Sequence, residues 1–209
     1  SVQGNVFPST LKNINLVAEV ELPERKVTIN VKGESEISKM GGRVHRVWLD
    51  PANPTPFPPT LQAILNADLI LVGPGSLYTS IIPNLLVPDL VDAIKASRAY
   101  KFYICNIATQ KGETDGYTCE DHIKTIERHV GAKLFDVVLA NNRFDEKVPV
   151  DIEWVKAEKK DSHYQIYETD LVDKENPWRH SSPKVAKTII DLYMERTGPL
   201  GSKDSYSSI

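Results

Sequence analysis

The sequence predicts an α/β protein: a doubly wound, mainly parallel sheet layered between helices, with a β-rich antiparallel hairpin region near the N-terminus. Three observations predict it. Between residues 67 and 142, the apolar runs 67–72, Tyr100–Asn106 and Phe135–Ala140 alternate with helical patterns at Leu90–Ser97 and Cys119–Gly131, an order expected of parallel strands joined by right-handed crossovers. Within those runs no polar residue alternates with apolar ones, as expected of strands covered on both faces. Before residue 50 apolar and polar residues do alternate, the mark of half-exposed antiparallel strands.

Composition bounds the class. The 209 residues are 41% hydrophobic and 25% charged with a formal net charge of −3, enough apolar surface for one sizeable core and no electrostatic footing for a nucleic-acid binder. Cys105 and Cys119 are the only cysteines. No CxxC or Cys/His spacing surrounds them, so neither a disulfide framework nor a zinc site is expected, and a reducing cytoplasm fits. No signal peptide is visible, and Pro or Asn interrupts each apolar run short of a membrane span. We expect a single domain over residues 1–197 and a tail at 198–209, whose Gly-Pro-Leu-Gly-Ser start looks like a tag remnant.

The elements follow in order. Asn13–Leu22 and Lys26–Lys32 alternate as strands, with Pro23-Glu24-Arg25 as the turn of an antiparallel hairpin. Gly33–Met40 is expected to carry the chain on, and Arg43–Leu49 supplies another strand. Pro51, Pro54, Pro56, Pro58 and Pro59 make a stiff connector within the domain, followed by a short helix through Asn66 with Thr60 as N-cap. The strand at 67–72 runs into Gly73-Pro74-Gly75-Ser76. Pro88-Asp89 opens the next helix, and Cys119–Gly131 carries Ile123, Ile126 and Val130 at helical spacing with Gly131 as its C-terminal cap. Beyond residue 142 the signal weakens. Val148–Val155 fits a strand or a helix start, Tyr164–Tyr167 a short strand, and Pro183–Arg196 an amphipathic helix with Val185, Ile189, Leu192 and Tyr193 inward.

In open α/β sheets ligands bind beyond the carboxyl ends of the strands, where glycines let backbone N–H groups approach a phosphate. Three strand ends here are polar: Gly73–Ser76, Asn106–Gln110 and Asn141-Asn142. They are expected to line one crevice. Gly73-Pro74-Gly75-Ser76 reads as a phosphate cradle or as an ordinary tight strand-to-helix turn. The loop 106–117 reads as a ligand rim, or as a solvated loop closed by Asx and hydroxyl turns through Thr114, Asp115 and Gly116. Glu113 and Asp115 could share a hard cation. His122 and His129, seven residues apart, lack the spacing of a metal pair and fit satisfied core or surface residues. No Ser/His/Asp or Cys/His nucleophile can be argued. Ahead of the last helix, Arg179 fits a phosphate grip or a surface ion pair, and Trp178 and His180 fit stacking groups or packing.

The blocks GPGSLYTSIIPNLLVPDL (73–90), CNIATQKGETDGYTCEDHI (105–123) and FDVVLANN (135–142) together resemble the YvcK/CofD-like family, and their wording resembles its YvcK branch, the gluconeogenesis factors. The likeness runs over about residues 1–142 and returns at Arg179-His180. It implies a Rossmann-like α/β/α fold, a cytoplasmic location and a site for a phosphorylated or nucleotide-linked ligand. YvcK-like proteins are associated with UDP-N-acetylglucosamine binding and with carbon metabolism, cell shape and wall synthesis, and the lack of an arguable acid–base pair or nucleophile here points to a non-catalytic binding protein. The CofD branch implies a transferase moving a phospho-lactyl-like group from a nucleoside-diphosphate donor to a deazaflavin precursor, with Mg²⁺. By resemblance, Gly73, Pro74, Gly75, Ser76, Tyr78 and Thr79 form the phosphate-side loop. Asn106, Gln110, Glu113, Thr114, Asp115 and Asn142 form a polar rim. Arg179 belongs to the nucleotide-sugar site, and Ser182 stands where a phosphorylatable hydroxyl is expected. The expected partner is thus a nucleotide-sugar or phosphorylated small molecule, with no nucleic acid, no metal or required cofactor in the binding reading, and a homo-oligomer compatible with the chain. The family opens with a strand and a GGGTG loop that this sequence does not show, so a partial domain with one cradle wall is expected.

Overall fold

The computed structural model describes residues 4–22, 24–158 and 163–198. Two sheets share one core. The first is antiparallel, in the order β2-β1-β3, from β1 (Asn15–Leu22), β2 (Val27–Lys32) and β3 (Arg43–Asp50). Leu22 faces Val27 across the hairpin end, and Arg25 N donates to Leu22 O at 3.1 Å. Alternation puts Ala18 and Val20 fully inside. Gly33–Met40 does not continue a strand. Glu34–Lys39 forms a short helix, α1, with its glutamates in the first turn and Lys39 in the last, as the helix dipole favours. Its one buried residue, Ile37, is too few to show either period in sequence.

The next helix, α2 (Pro58–Leu65), starts earlier than expected. Pro58 and Pro59 occupy its first positions, where the missing N–H groups are lost at little cost. Thr60 therefore lies inside the first turn and donates its hydroxyl to Pro8 O at 2.7 Å.

The second sheet is parallel throughout, in the order β4-β5-β6-β7, from β4 (Leu69–Val72), β5 (Tyr100–Ile104), β6 (Val137–Asn141) and β7 (Gln165–Thr169). Its period-2 alternation feeds two cores. Tyr103, Val138 and Ala140, with Cys105 just past β5, point into the larger core, which also holds residues of the first sheet. Phe102, Ile104, Val137 and Leu139 meet Ile189 and Leu192 of the last helix, α6 (Ser182–Thr197). Helices thus cover both faces, as a Rossmann-like α/β/α arrangement requires. Burial on both faces was not met at β4. Among the described residues that strand pairs with β5 alone, and Leu71 remains 45% exposed.

Between β4 and β5 the chain makes a π-helical turn (Leu77–Ile81), α3 (Ile82–Leu85) and α4 (Pro88–Ala96). Among the described residues no single helix is long and apolar enough to cross a membrane. Between β5 and β6 lies α5 (Cys119–Val130). Thr118 and Asp121 cap it reciprocally, and Gly131 ends it at φ 68°. The segment 148–155 is neither strand nor helix. It runs beside 107–109, bridging Trp154 to Ala108 and donating Val155 N to Ile107 O at 2.9 Å.

A histidine joins the two sheets. His129 on α5 receives the Val47 N–H of β3 at Nε2 (3.1 Å), and its Nδ1 lies 2.7 Å from Thr125 O. A carbonyl only accepts, so Nδ1 carries the proton and the ring is neutral. Arg128 Nη2 donates to His45 O at 3.3 Å, so side chains of α5 satisfy this outer edge of β3. Burial holds His129 below its ordinary value, and burial does the same to His122 and His180. The unfolded chain therefore binds protons that the fold refuses, and stability falls as pH drops below the unfolded value of about 6.5. Burial raises Glu113 and gives the opposite slope, but in the acid range above its unfolded carboxylate value. The melting temperature is expected to fall between pH 7.5 and 5.5, and less steeply in His129→Gln, whose amide oxygen can accept from Val47. Equal slopes would show that His129 does not contribute to the pH dependence.

Candidate functional site

The site is assembled where β4 and β5 end. Gly73 leaves β4 at φ +84°, and a Cβ there would lie 2.7 Å from Ile104 O. Only glycine combines that dihedral with so close a backbone. Asn106 then grips the loop from the end of β5. Gly75 N donates to Asn106 Oδ1 at 3.3 Å, and Asn106 Nδ2 donates to Gly75 O at 3.0 Å. Both ends of this amide are engaged, so Asn106 fixes the loop.

Behind the loop lies a buried carboxylate. Glu113, 3% exposed, accepts from Tyr78 N at 3.3 Å, from Thr79 Oγ1 at 3.0 Å and from Gln110 Nε2 at 3.0 Å. Burial raises its proton affinity, the Thr79 and Tyr78 bonds oppose that, and nearby Glu34 adds to it. The carboxylate satisfies donors that open the π-helical turn and ties loop 106–117 to the glycine loop. That second loop closes on itself. Gln110 N donates to Thr114 Oγ1 at 2.8 Å, and Gly112 N to Asp115 Oδ2 at 2.6 Å. Thr109 exchanges bonds with residue 153, holding 148–155 against it.

These parts enclose an open cleft of about 1050 Å³. Pro74, Gly75 and Ser76 form one wall, residues 106–111 the floor, Asp151 and Ile152 one rim, and Trp178, Arg179, His180 and Ser182 the other. The last group is held in place through its backbone. Arg179 N donates to Asn176 O at 2.8 Å, Asp173 N to Arg179 O at 2.9 Å and Ser181 N to Leu171 O at 2.8 Å. Asp173, whose carboxylate accepts from the N–H groups of Asn176 and Glu175, is lowered by those bonds.

The charge in the cleft is uneven. Arg179 is exposed and makes no ion pair among the described residues. Beside it α6 begins at Ser182 with Pro183 next, no acidic residue in its first turn and no side-chain cap bond from Ser181. The positive end of this 16-residue helix therefore has no carboxylate of its own first turn and no side-chain cap to offset it. Elsewhere in the lining, Lys111 of the floor lies 3.2 Å from Asp151 in an exposed pair of little energetic weight. A polyanionic ligand is favoured at the Arg179 end.

The sequence-expected residues divide accordingly. Pro74, Gly75, Ser76, Asn106, Gln110, Arg179 and Ser182 line the cleft. Gly73 shapes its wall, while Tyr78, Thr79, Glu113 and Thr114 are buried behind it. Asp115 is spent on Gly112 N. The third strand end does not join the other two. Asn142 Nδ2 donates to Glu168 O of β7 at 3.4 Å, and Asn141 Oδ1 accepts from Leu171 N just past β7 at 3.2 Å, so both side chains are engaged on β7 and the chain that follows it. Around Glu113 and Asp115 no three His, Cys, Asp or Glu side chains gather among the described residues. Lys111, Asp151 and Ile152 were not anticipated as lining. Lys111 stood within a loop already read as polar, but nothing in 148–155 announced a rim.

Residues 1–177 match the family described as 2-phospho-L-lactate transferase CofD. The gluconeogenesis factor of Bacillus subtilis is 38% identical over 211 residues, covering 93% of this chain and 63% of that protein. That of Halalkalibacterium halodurans is 40% identical over 201 residues, covering 91% and 61%. A crystal structure of a UPF0052-family protein from Bacillus halodurans superposes with a TM-score of 0.78 at 38% identity, over 90% of this chain and 63% of that one. The chain thus spans less than two thirds of these relatives. Matched along most of its length by sequence and by fold, it belongs to the CofD family.

Proposed function

We propose that the cleft binds a nucleotide sugar of the UDP-N-acetylglucosamine kind, and that the protein works in the cytoplasm by this binding to adjust carbon metabolism, cell shape or wall synthesis. One observation carries the reading. Arg179, with no ion pair among the described residues, and the N-terminus of α6, with no acidic residue in its first turn and no side-chain cap, line one cleft of about 1050 Å³, a size suited to a nucleotide sugar. A pyrophosphate placed there gains charge-assisted bonds from Arg179 and the first free N–H groups of α6. The relatives' name, gluconeogenesis factor, supports the regulatory role. Phosphorylation of Ser182 would place a second anion at the same helix end and compete with the ligand.

UDP-N-acetylglucosamine at about a hundred times its dissociation constant should stabilise the protein by about 2.7 kcal/mol, a rise of roughly 5–10 °C in melting temperature for a domain of this size. No rise at millimolar ligand contradicts the proposal.

The family description favours a second reading, in which the same cleft transfers a phospho-lactyl-like group from a nucleoside-diphosphate donor. Mg²⁺ would then be held by Asp151 together with the donor's own phosphates, since this cation usually takes one or two carboxylates and substrate oxygens. Metal-dependent turnover of such a donor would favour transfer over binding alone.

A further inference from the structure

We propose that His180 is the hydroxyl acceptor of the cleft: its Nδ1 lone pair receives a hydroxyl of the ligand's sugar or ribose, so the ligand must offer a donor there. This rests on the nucleotide-sugar reading above. His180 Nε2 lies 3.1 Å from Cys105 O. A backbone carbonyl only accepts, so Nε2 carries the proton, and in the neutral ring Nδ1 is then a lone pair. Nδ1 has no hydrogen-bond partner among the described residues, and His180 lies between Arg179 and Ser182 in the lining of the cleft. Its neighbours on that rim supply donors, from the Arg179 guanidinium and the start of α6. Asn106 has spent both ends of its amide on Gly75, whereas Gln110 Nε2 is committed to Glu113 and leaves its amide oxygen as a second acceptor away from this rim. Phosphates need donors and sugar hydroxyls need an acceptor, and on this rim the imidazole Nδ1 is the side-chain acceptor that cannot also donate.

Burial also holds the ring below the ordinary histidine value, opposed by the Cys105 bond, which keeps the lone pair available near neutral pH. The titratable and charged groups around it are Arg179, Lys111 and Asp151 in the lining, the Cys105 thiol at the end of β5, Asp173 behind the loop, and Lys184 and Asp170, paired at 2.8 Å beside α6.

The test is the pH profile of UDP-N-acetylglucosamine binding by calorimetry from pH 5.5 to 8, using wild type, His180→Gln and His180→Asn. The pyrophosphate diester of this ligand has no proton to exchange in that window. Gln keeps a donor for Cys105 O and removes the Nδ1 acceptor, whereas Asn keeps an acceptor near Nδ1. Wild-type affinity should rise with pH. His180→Gln should bind about three- to tenfold more weakly at pH 7.5 with a flat profile, and His180→Asn should recover affinity, also without pH dependence. Wild-type affinity and profile in His180→Gln, or wild-type binding that strengthens toward acid, overturns the assignment while leaving the nucleotide-sugar reading intact. No binding by the wild type at any pH sinks the nucleotide-sugar reading instead.

Discussion

Arg179→Ala is expected to weaken UDP-N-acetylglucosamine binding by about ten- to a hundredfold while leaving the fold as stable as before. A charge-assisted hydrogen bond contributes about 1.5–3 kcal/mol, and each 1.4 kcal/mol is tenfold in affinity. The side chain is exposed and bonds to nothing that holds the protein together. Its backbone carries the local structure through Asn176 O and Asp173 N, and alanine keeps both bonds. Arg179→Lys should fall between the two, retaining charge but not the planar fork. Calorimetry alongside urea unfolding separates binding from folding. An unchanged dissociation constant in Arg179→Ala would remove this residue from the site.

Gly73→Ala should have the largest effect on stability. A non-glycine residue forced into this backbone region costs about 1–3 kcal/mol, and the Cβ at 2.7 Å from Ile104 O adds a clash with backbone that belongs to β5. We expect a total of about 3 kcal/mol, seen as a lower urea midpoint at constant slope. Gly75→Ala is the control. Its Cβ would meet only Ile81 and Ser80 side-chain atoms, at 3.7 Å, and its loss should be within about 0.5 kcal/mol. Equal stability of the two variants would contradict the close approach.

The parts of the fold legible in the sequence were those fixed by local chemistry. The period of Ile123, Ile126 and Val130 and Gly131 at the end specify α5 within a residue or so, and alternation specifies β1 and β2. Burial was less legible. Leu69–Val72 reads as a core strand, but coverage depends on neighbours, and among the described residues β4 has only β5 beside it. Single apolar residues such as Ile37 carry no period, which hid α1.

The site divides in the same way. Gly73–Ser76 and Arg179 are visible because glycine and arginine announce themselves by type. Glu113 looks like any loop carboxylate in sequence. Its burial beneath Thr79 and Gln110 depends on two loops meeting in space. The rim at Asp151 and Ile152 is positioned by bonds from Thr109 and Ile107 to a segment with no pattern of its own. Asn141 and Asn142 look like ligand groups, but Asn141 binds the chain just past β7 and Asn142 binds β7 itself.

The central claim is that the nucleotide sugar sits between the glycine loop and the start of α6. Backbone amide chemical shifts followed by NMR during titration with UDP-N-acetylglucosamine test it most directly. Saturable shifts concentrated at Gly75, Ser76, Asn106, Gln110, Arg179, His180 and Ser182, with the far end of α6 near Arg196 unmoved, are the predicted result. Saturable shifts confined to the small antiparallel sheet or to the outer face of α6, with these amides unmoved, would contradict it.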